Sequence, residues 1–287
     1  MESPPPAEPR ARYDTDGYTV YRDVLPPDLV AETAGHVTWL MEQNPGTRPE
    51  HLSNDLMADD PFWLRLVSDN RLLDVAERFI GPNIALFASH YIAKAPFDGQ
   101  KVRWHQDGSY WPLEPMEVVT LWLAADDTDA ENGCLRIVPG TQNERLVSWE
   151  NLEKSPGEDV LGSGIRPEDV DEDAAVDVVM SAGDVEVHHP NVIHGSNANT
   201  SPRWRRGLTI RYIPASTRII TEGTWLSAYM LRGEPTPGVN RYRPLPTYRG
   251  DGTQMPFADA EAWNAKARDL NVRYDAVIAR AASAPAS

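Results

Sequence analysis

Apolar positions change their period along this chain. Within residues 13–43 the short run DGYTVYRDV predicts a strand, and a helix is expected to begin near Pro26-Pro27. Asp60 before Pro61 predicts another helix start. An aspartate side chain caps free backbone N–H groups, and a proline at the first helical position has no donor to leave bare. Trp63, Leu66 and Val67 follow helical spacing, Leu72, Val75, Ala76 and Phe79 repeat it, and Gly81 closes the run. Asp69-Asn70 divides it into two consecutive helices. From residue 84 the period shortens. IALFASHYIAKAP, VVTLWLAADD, CLRIVPG, VDVVM, DVEVHH and GLTIRYIP are short β-rich runs separated by Gly, Pro, Asn and Asp, the pattern of an antiparallel sandwich or jelly roll. Residues 150–175 are too polar for a core and read as a surface loop. After Pro214 an irregular stretch carries Trp225, Tyr229 and Met230, and a last helix is expected near 258–283. The organisation predicted is a disordered tail over 1–12 and one mainly β domain with flanking helices over 13–283. Its β core lies at about 84–215, and its segment 216–283 is available to line a substrate pocket.

Composition narrows the class. The 287 residues are 41% hydrophobic and 24% charged, enough for a sizeable core in a soluble protein. Twenty-seven Lys and Arg against 43 Asp and Glu leave a net charge of −16. That argues against nucleic acid, whose phosphates ask for a basic surface, and against docking on anionic membranes. No run approaches the roughly 18 apolar residues of a membrane span. MESPPPAEPRAR has no apolar stretch, so no signal peptide is expected and the cytoplasm is the expected location. The single cysteine, Cys134, excludes a disulfide framework and any multi-cysteine zinc site. Behind the Asn132-Gly133 turn it reads as a small buried hydrophobe. A monomer or homodimer acting on a small molecule fits these bounds.

Chemistry concentrates in Trp104-His105-Gln106-Asp107. On a strand alternate side chains share a face, so His105 and Asp107 point one way and Gln106 the other. An imidazole and a carboxylate on one face supply two neighbouring positions of a metal site. A third ligand must come from elsewhere. His194, in HPNVIHGSNANTSP at the end of a late β run, leads, with His188 and His189 in competition. Two histidines and one carboxylate occupy one face of an octahedral ion and leave three positions open, as in non-haem Fe(II) oxygenases.

Longer segments carry a resemblance. GDVEVHHPNVIHGSNANTSPRWRRG is similar to the distal motif of the phytanoyl-CoA dioxygenase family, G-D…H-x-S…N-x-S/T-x-x-x-R, and KAP…WHQDGSYW to its proximal motif. LWLAADDTDAENGCLRIVPGTQ resembles the family's connecting segment, and DTDGYTVYRDVLPPDLV its opening strand and helix. The blocks run in order over roughly residues 13–215 and leave the C-terminal third unmatched. The resemblance implies a double-stranded β-helix, a cupin-like jelly roll. It also implies a dioxygenase using Fe(II), 2-oxoglutarate and O2, with His105, Asp107 and His194 as iron ligands. The family places an arginine eleven residues after the distal histidine for the far carboxylate of 2-oxoglutarate, here Arg205.

Residue parity agrees. Along RRGLTIRY, Arg205, Gly207, Thr209 and Arg211 share one face, while Arg206, Leu208, Ile210 and Tyr212 share the apolar one. Arg205 is therefore expected to line a cavity and Arg206 is not, and a guanidinium fork suits a carboxylate. Ser196, Thr120 and Lys94 are further candidates to hydrogen-bond the cosubstrate.

Tyr110 and Trp111, just beyond the proximal motif, and Trp225 and Tyr229, in the irregular segment, are candidates to wall a substrate pocket. Leu121 and Trp122 read as core. No basic cluster suits the phosphates of coenzyme A, so the substrate expected is a small metabolite or biosynthetic intermediate. Asp107 holds the iron position that a halide would need. Hydroxylation of an unactivated C–H, with release of succinate and CO2, is therefore expected, and desaturation, epoxidation or cyclisation are the alternatives. Two readings of other classes stand beside it. One is a non-catalytic metal- and 2-oxoglutarate-binding β-helix protein. The other is a metal-dependent hydrolase, in which the carboxylate-binding arginine has no obvious role.

Overall fold

DGYTVYRDV forms the strand Tyr18–Tyr21 in the computed structural model, which describes residues 8–157 and 159–283. This strand pairs antiparallel with Val185–His188, which pairs antiparallel in turn with Val119–Ala124. A second antiparallel sheet runs in the order Val102–His105, Ile193–Ser196, Leu135–Val138, Val176–Val178. Tyr18, Trp122 and Ala124 from the first sheet meet Leu135, Ile137 and Val178 from the second in one apolar core. Two antiparallel sheets packed face to face around such a core form the jelly roll expected from the spacing of the β runs.

These strands belong to the first of two compact units into which the chain divides, where the sequence reads as one domain. The first gathers the chain up to Val30, Ile92–Trp111 and Thr120–Leu208; the second gathers Ala31–Tyr91, Pro112–Val119 and the chain from Thr209 on. In the second unit the helices Pro61–Val67 and Asn70–Ile80 start and stop on local signals. Asp60 accepts the Trp63 N–H at 3.0 Å, Asp69 caps the next helix, and Gly81 at φ 78° ends it. Leu72, Leu73, Val75 and Ala76 form the buried stripe of that helix. The strand Ile84–Tyr91 pairs antiparallel with Tyr229–Arg232, and the closing helix is Ala260–Ser283.

Three expectations change. Part of the segment expected as a disordered tail forms the helix Pro9–Asp16. Proline opens it, left-handed Gly17 ends it by donating to the Tyr13 carbonyl, and buried Tyr13 packs on His189. Residues 1–7 and 284–287 lie outside the described residues. The 150–175 segment is not simply solvated. Leu152 and Ile165 are buried with Trp104, Val138 and Ile193, so the segment covers the outer face of the second sheet. Finally, the stretch after Pro214 contains the strand Tyr229–Arg232, too short a run to show a period.

Candidate metal centre

His105 ends the strand Val102–His105 and pairs in register with His194, whose other cross-strand neighbour is Ile137. Residues opposite each other on an antiparallel ladder share a face. Ile137 lies in the core between the sheets, so both imidazoles point there too, with ring centroids 4.0 Å apart. Asp107 is not on the strand, as alternation alone implied, but opens the turn Asp107–Tyr110. Alternation still reaches it because Gln106 stays extended, at φ −113° and ψ 122°. Gln106 turns the other way. Its amide donates to the Asn191 carbonyl at 2.8 Å and accepts the Val147 N–H at 2.9 Å.

His105, Asp107 and His194 are all buried and offer ligand atoms within 4.8 Å of one another. This donor set fits a divalent first-row metal ion. The His105 Nδ1–H donates to the Arg103 carbonyl at 2.8 Å, and the His194 Nδ1–H to the Val192 carbonyl at 3.0 Å. A carbonyl only accepts, so these bonds fix the tautomer and leave both Nε2 lone pairs for an ion. Burial, reinforced by His105 and His188, drives the His194 pKa well below the ordinary range and keeps that imidazole neutral, as a ligand must be. Asp107 Oδ1 lies 3.5 Å from His105 Nε2. Its Oδ2 accepts the Thr120 hydroxyl at 3.1 Å and faces His188 Nε2 at 3.4 Å.

Neither rival histidine completes the cluster. His188 has its Nδ1 2.8 Å from Glu186 Oε2. Burial pushes its pKa down, but Glu186 and Asp107 overcome that and raise it to about 9. His189 accepts the Asn191 N–H at 3.1 Å and packs against Tyr13. Sequence reasoning treated His188 as a rival ligand and missed Glu186. The signal was present, since Glu186 and His188 alternate onto one face of DVEVHH.

Two buried cations converge on Ser196, two residues beyond His194 on the same strand. Lys94 Nζ donates to Ser196 Oγ at 2.7 Å and to the Asn197 carbonyl, and Arg205 Nη2 reaches the same hydroxyl at 3.5 Å. Arg205 also donates to the carbonyls of Gly133 at 3.0 Å and Ile92 at 2.6 Å. A backbone bridge joins Lys94 to Arg205, and the Asn199 side chain ties down the Lys94, Ala95 and Arg203 carbonyls. Gly133 sits at φ 74°, where a Cβ would stand 2.4 Å from the Asn197 oxygen, so the approach needs glycine. Arg206 points elsewhere, into a two-bond pair with Asp126 at 2.8 and 2.6 Å. Thus Lys94, Ser196 and Arg205 come together, whereas Thr120 gives its hydroxyl proton to Asp107.

The substrate candidates divide between the units. Tyr110 lies edge-on to His105 at 6.0 Å between centroids and donates to the Ser163 carbonyl, and Trp111 is half-buried after the same turn. In the second unit Trp225 stacks on Phe87 and, with Arg218, Ile220 and Arg241, lines a cavity of about 660 Å³. Tyr229 is buried edge-on to Trp63 with its hydroxyl on the Ala58 carbonyl, which makes it a packing residue of that unit. Cys134 is buried, and burial pushes its thiol up to about 11, so it is inert as a nucleophile.

A family model described as phytanoyl-CoA dioxygenase (PhyH) matches residues 13–207. Peroxisomal phytanoyl-CoA dioxygenase of Bos taurus is 34% identical over 171 residues, 58% of this chain and 50% of that protein. A probable alpha-ketoglutarate-dependent hypophosphite dioxygenase of Stutzerimonas stutzeri is 30% identical over 150 residues, 52% of each chain. The chain therefore spans about half the length of these curated relatives. Among solved structures, apo ThoJ, a non-heme monooxygenase, superposes with a TM-score of 0.71 at 22% identity, covering 95% of this chain and 98% of that one. At that identity the likeness is one of fold.

Proposed function

The chain belongs to the phytanoyl-CoA dioxygenase family, and from that premise we propose that it is an Fe(II)- and 2-oxoglutarate-dependent dioxygenase hydroxylating an unactivated C–H of a small metabolite or biosynthetic intermediate. His105, Asp107 and His194 hold the metal through two neutral imidazole nitrogens and one carboxylate oxygen. Bound iron supplies the activation of O2 that couples decarboxylation of 2-oxoglutarate, to succinate and CO2, with oxidation of the substrate. Arg205 receives the far carboxylate of 2-oxoglutarate, with Lys94 and Ser196 beside it. Two buried positive charges converging on one hydroxyl suit a bound carboxylate. Tyr110 and Trp111 wall the substrate on the metal side.

One observation supports this reading: the first unit holds both the buried His105, Asp107 and His194 cluster and the two buried cations that meet at Ser196. A hydrolase would use the cluster and have no use for the cations. The test is succinate formation by iron-loaded protein with 2-oxoglutarate, ascorbate and O2 across a metabolite panel. A metabolite that stimulates succinate release and gains one oxygen supports the reading. No turnover with any metabolite, together with tight 2-oxoglutarate binding, would instead favour a non-catalytic binding protein.

A further inference from the structure

Glu186 and His188 lie outside the three-residue cluster, yet they are 0% and 1% exposed. Alternation on Val185–His188 sends both side chains to the inner face, and the register sets His188 directly opposite Thr120. His188 bridges two carboxylates, with Nδ1 2.8 Å from Glu186 Oε2 and Nε2 3.4 Å from Asp107 Oδ2. The ring stands between the two carboxyl groups with one nitrogen turned to each. Thr120 donates its hydroxyl proton to the same Asp107 oxygen at 3.1 Å. All of these contacts fall on Oδ2, while Oδ1 is the oxygen turned towards His105. Glu186 Oε1 is buried without a hydrogen-bond partner, so the bond to His188 is what accounts for a carboxylate at this depth.

The geometry points to a positioning relay, from Glu186 through His188 to Asp107, that holds Asp107 as a one-oxygen ligand and keeps its second oxygen off the metal. The relay rests on the metal-centre reading above. A carboxylate whose second oxygen is held by Thr120 and walled by the His188 ring does not swing to chelate through both oxygens. The position that oxygen would take stays available to an exogenous ligand. Glu186 acts without touching Asp107, by fixing the orientation of the ring between them.

Co(II) is the probe, because its visible spectrum reports coordination without turnover. His188→Phe removes both bonds at similar volume, His188→Gln keeps an N–H for Asp107, and Glu186→Leu removes only the far end. His188→Phe is expected to weaken Co(II) binding by about 10–100-fold and to change the intensity of the visible bands. His188→Gln should restore most of the affinity, and Glu186→Leu should fall between. Melts of the metal-free proteins report folding. His188→Phe with wild-type affinity and spectrum overturns the relay, and so does an equal loss in the Phe and Gln variants, which would mark packing alone. If His188→Phe does not fold, a wild-type spectrum in Glu186→Leu overturns it. A wild-type protein that binds no Co(II) overturns the metal centre itself, a separate failure.

Discussion

His105 and His194 stand opposite each other in antiparallel register, with ring centroids 4.0 Å apart. Backbone pairing, rather than the reach of flexible side chains, sets the spacing of the two imidazoles. Each ring is further pinned through Nδ1 to a carbonyl of its own strand or of the turn before it. The backbone thus pre-positions the donor set, as a metal centre would require.

Alanine at either His105 or His194 is expected to abolish Fe(II) binding while leaving the melt of the metal-free protein close to wild type. His189→Ala should keep its iron, because His189 bonds Asn191 and packs on Tyr13. Metal content by elemental analysis, paired with a thermal melt, reads both. Full iron occupancy in His194→Ala would show that the third ligand has been assigned wrongly.

Arg205→Ala should raise the 2-oxoglutarate KM by about 30-fold or more, since truncating one partner of a buried charged pair costs about 2–5 kcal/mol. Arg206→Ala should change it little, because its pair with Asp126 is partly exposed and worth about 0–1 kcal/mol. Steady-state kinetics on the two variants decide it, and the reverse order of effects would refute the parity argument for the strand.

Gly133→Ala should destabilise the protein by about 1–3 kcal/mol, from the left-handed backbone and the collision with the Asn197 oxygen. Urea unfolding measures the first effect. The same substitution should weaken 2-oxoglutarate binding, because the Gly133 carbonyl holds Arg205. A variant that loses stability but binds 2-oxoglutarate as wild type would separate the turn from the role given to Arg205.

Once a substrate is known, turnover in excess chloride should give a product heavier by oxygen and free of chlorine. In the proposed centre Asp107 would be an anionic ligand, held by Thr120 and facing His188, that chloride would have to displace. Mass spectrometry of the product gives the answer. Loss of two hydrogens would instead mark a desaturase or cyclase, and a chlorinated product would refute the role given to Asp107.

Features that depend on near neighbours were legible in the sequence. The Asp60-Pro61 cap, the break at Asp69-Asn70 and the shared side of His105 and Asp107 all follow from local period and capping. What escaped depends on register between strands distant in the chain. The bond from Thr120 to Asp107 cannot be read until Val119–Ala124 is seen beside Val185–His188, where Thr120 and His188 both face Asp107. Leu152 and Ile165 escaped for a different reason: single apolar residues in an acidic segment set up no period, yet both are buried. The division into two units was equally hidden, because each unit is assembled from non-contiguous stretches.

The most direct test of the central claim needs no substrate. Fe(II)-loaded protein is titrated with 2-oxoglutarate under strict exclusion of oxygen, and the visible absorption is followed. The account predicts a saturable charge-transfer band from 2-oxoglutarate chelating the iron, lost in His194→Ala and shifted to much higher 2-oxoglutarate concentration in Arg205→Ala. Iron-loaded wild-type protein that develops no such band at any 2-oxoglutarate concentration would contradict it.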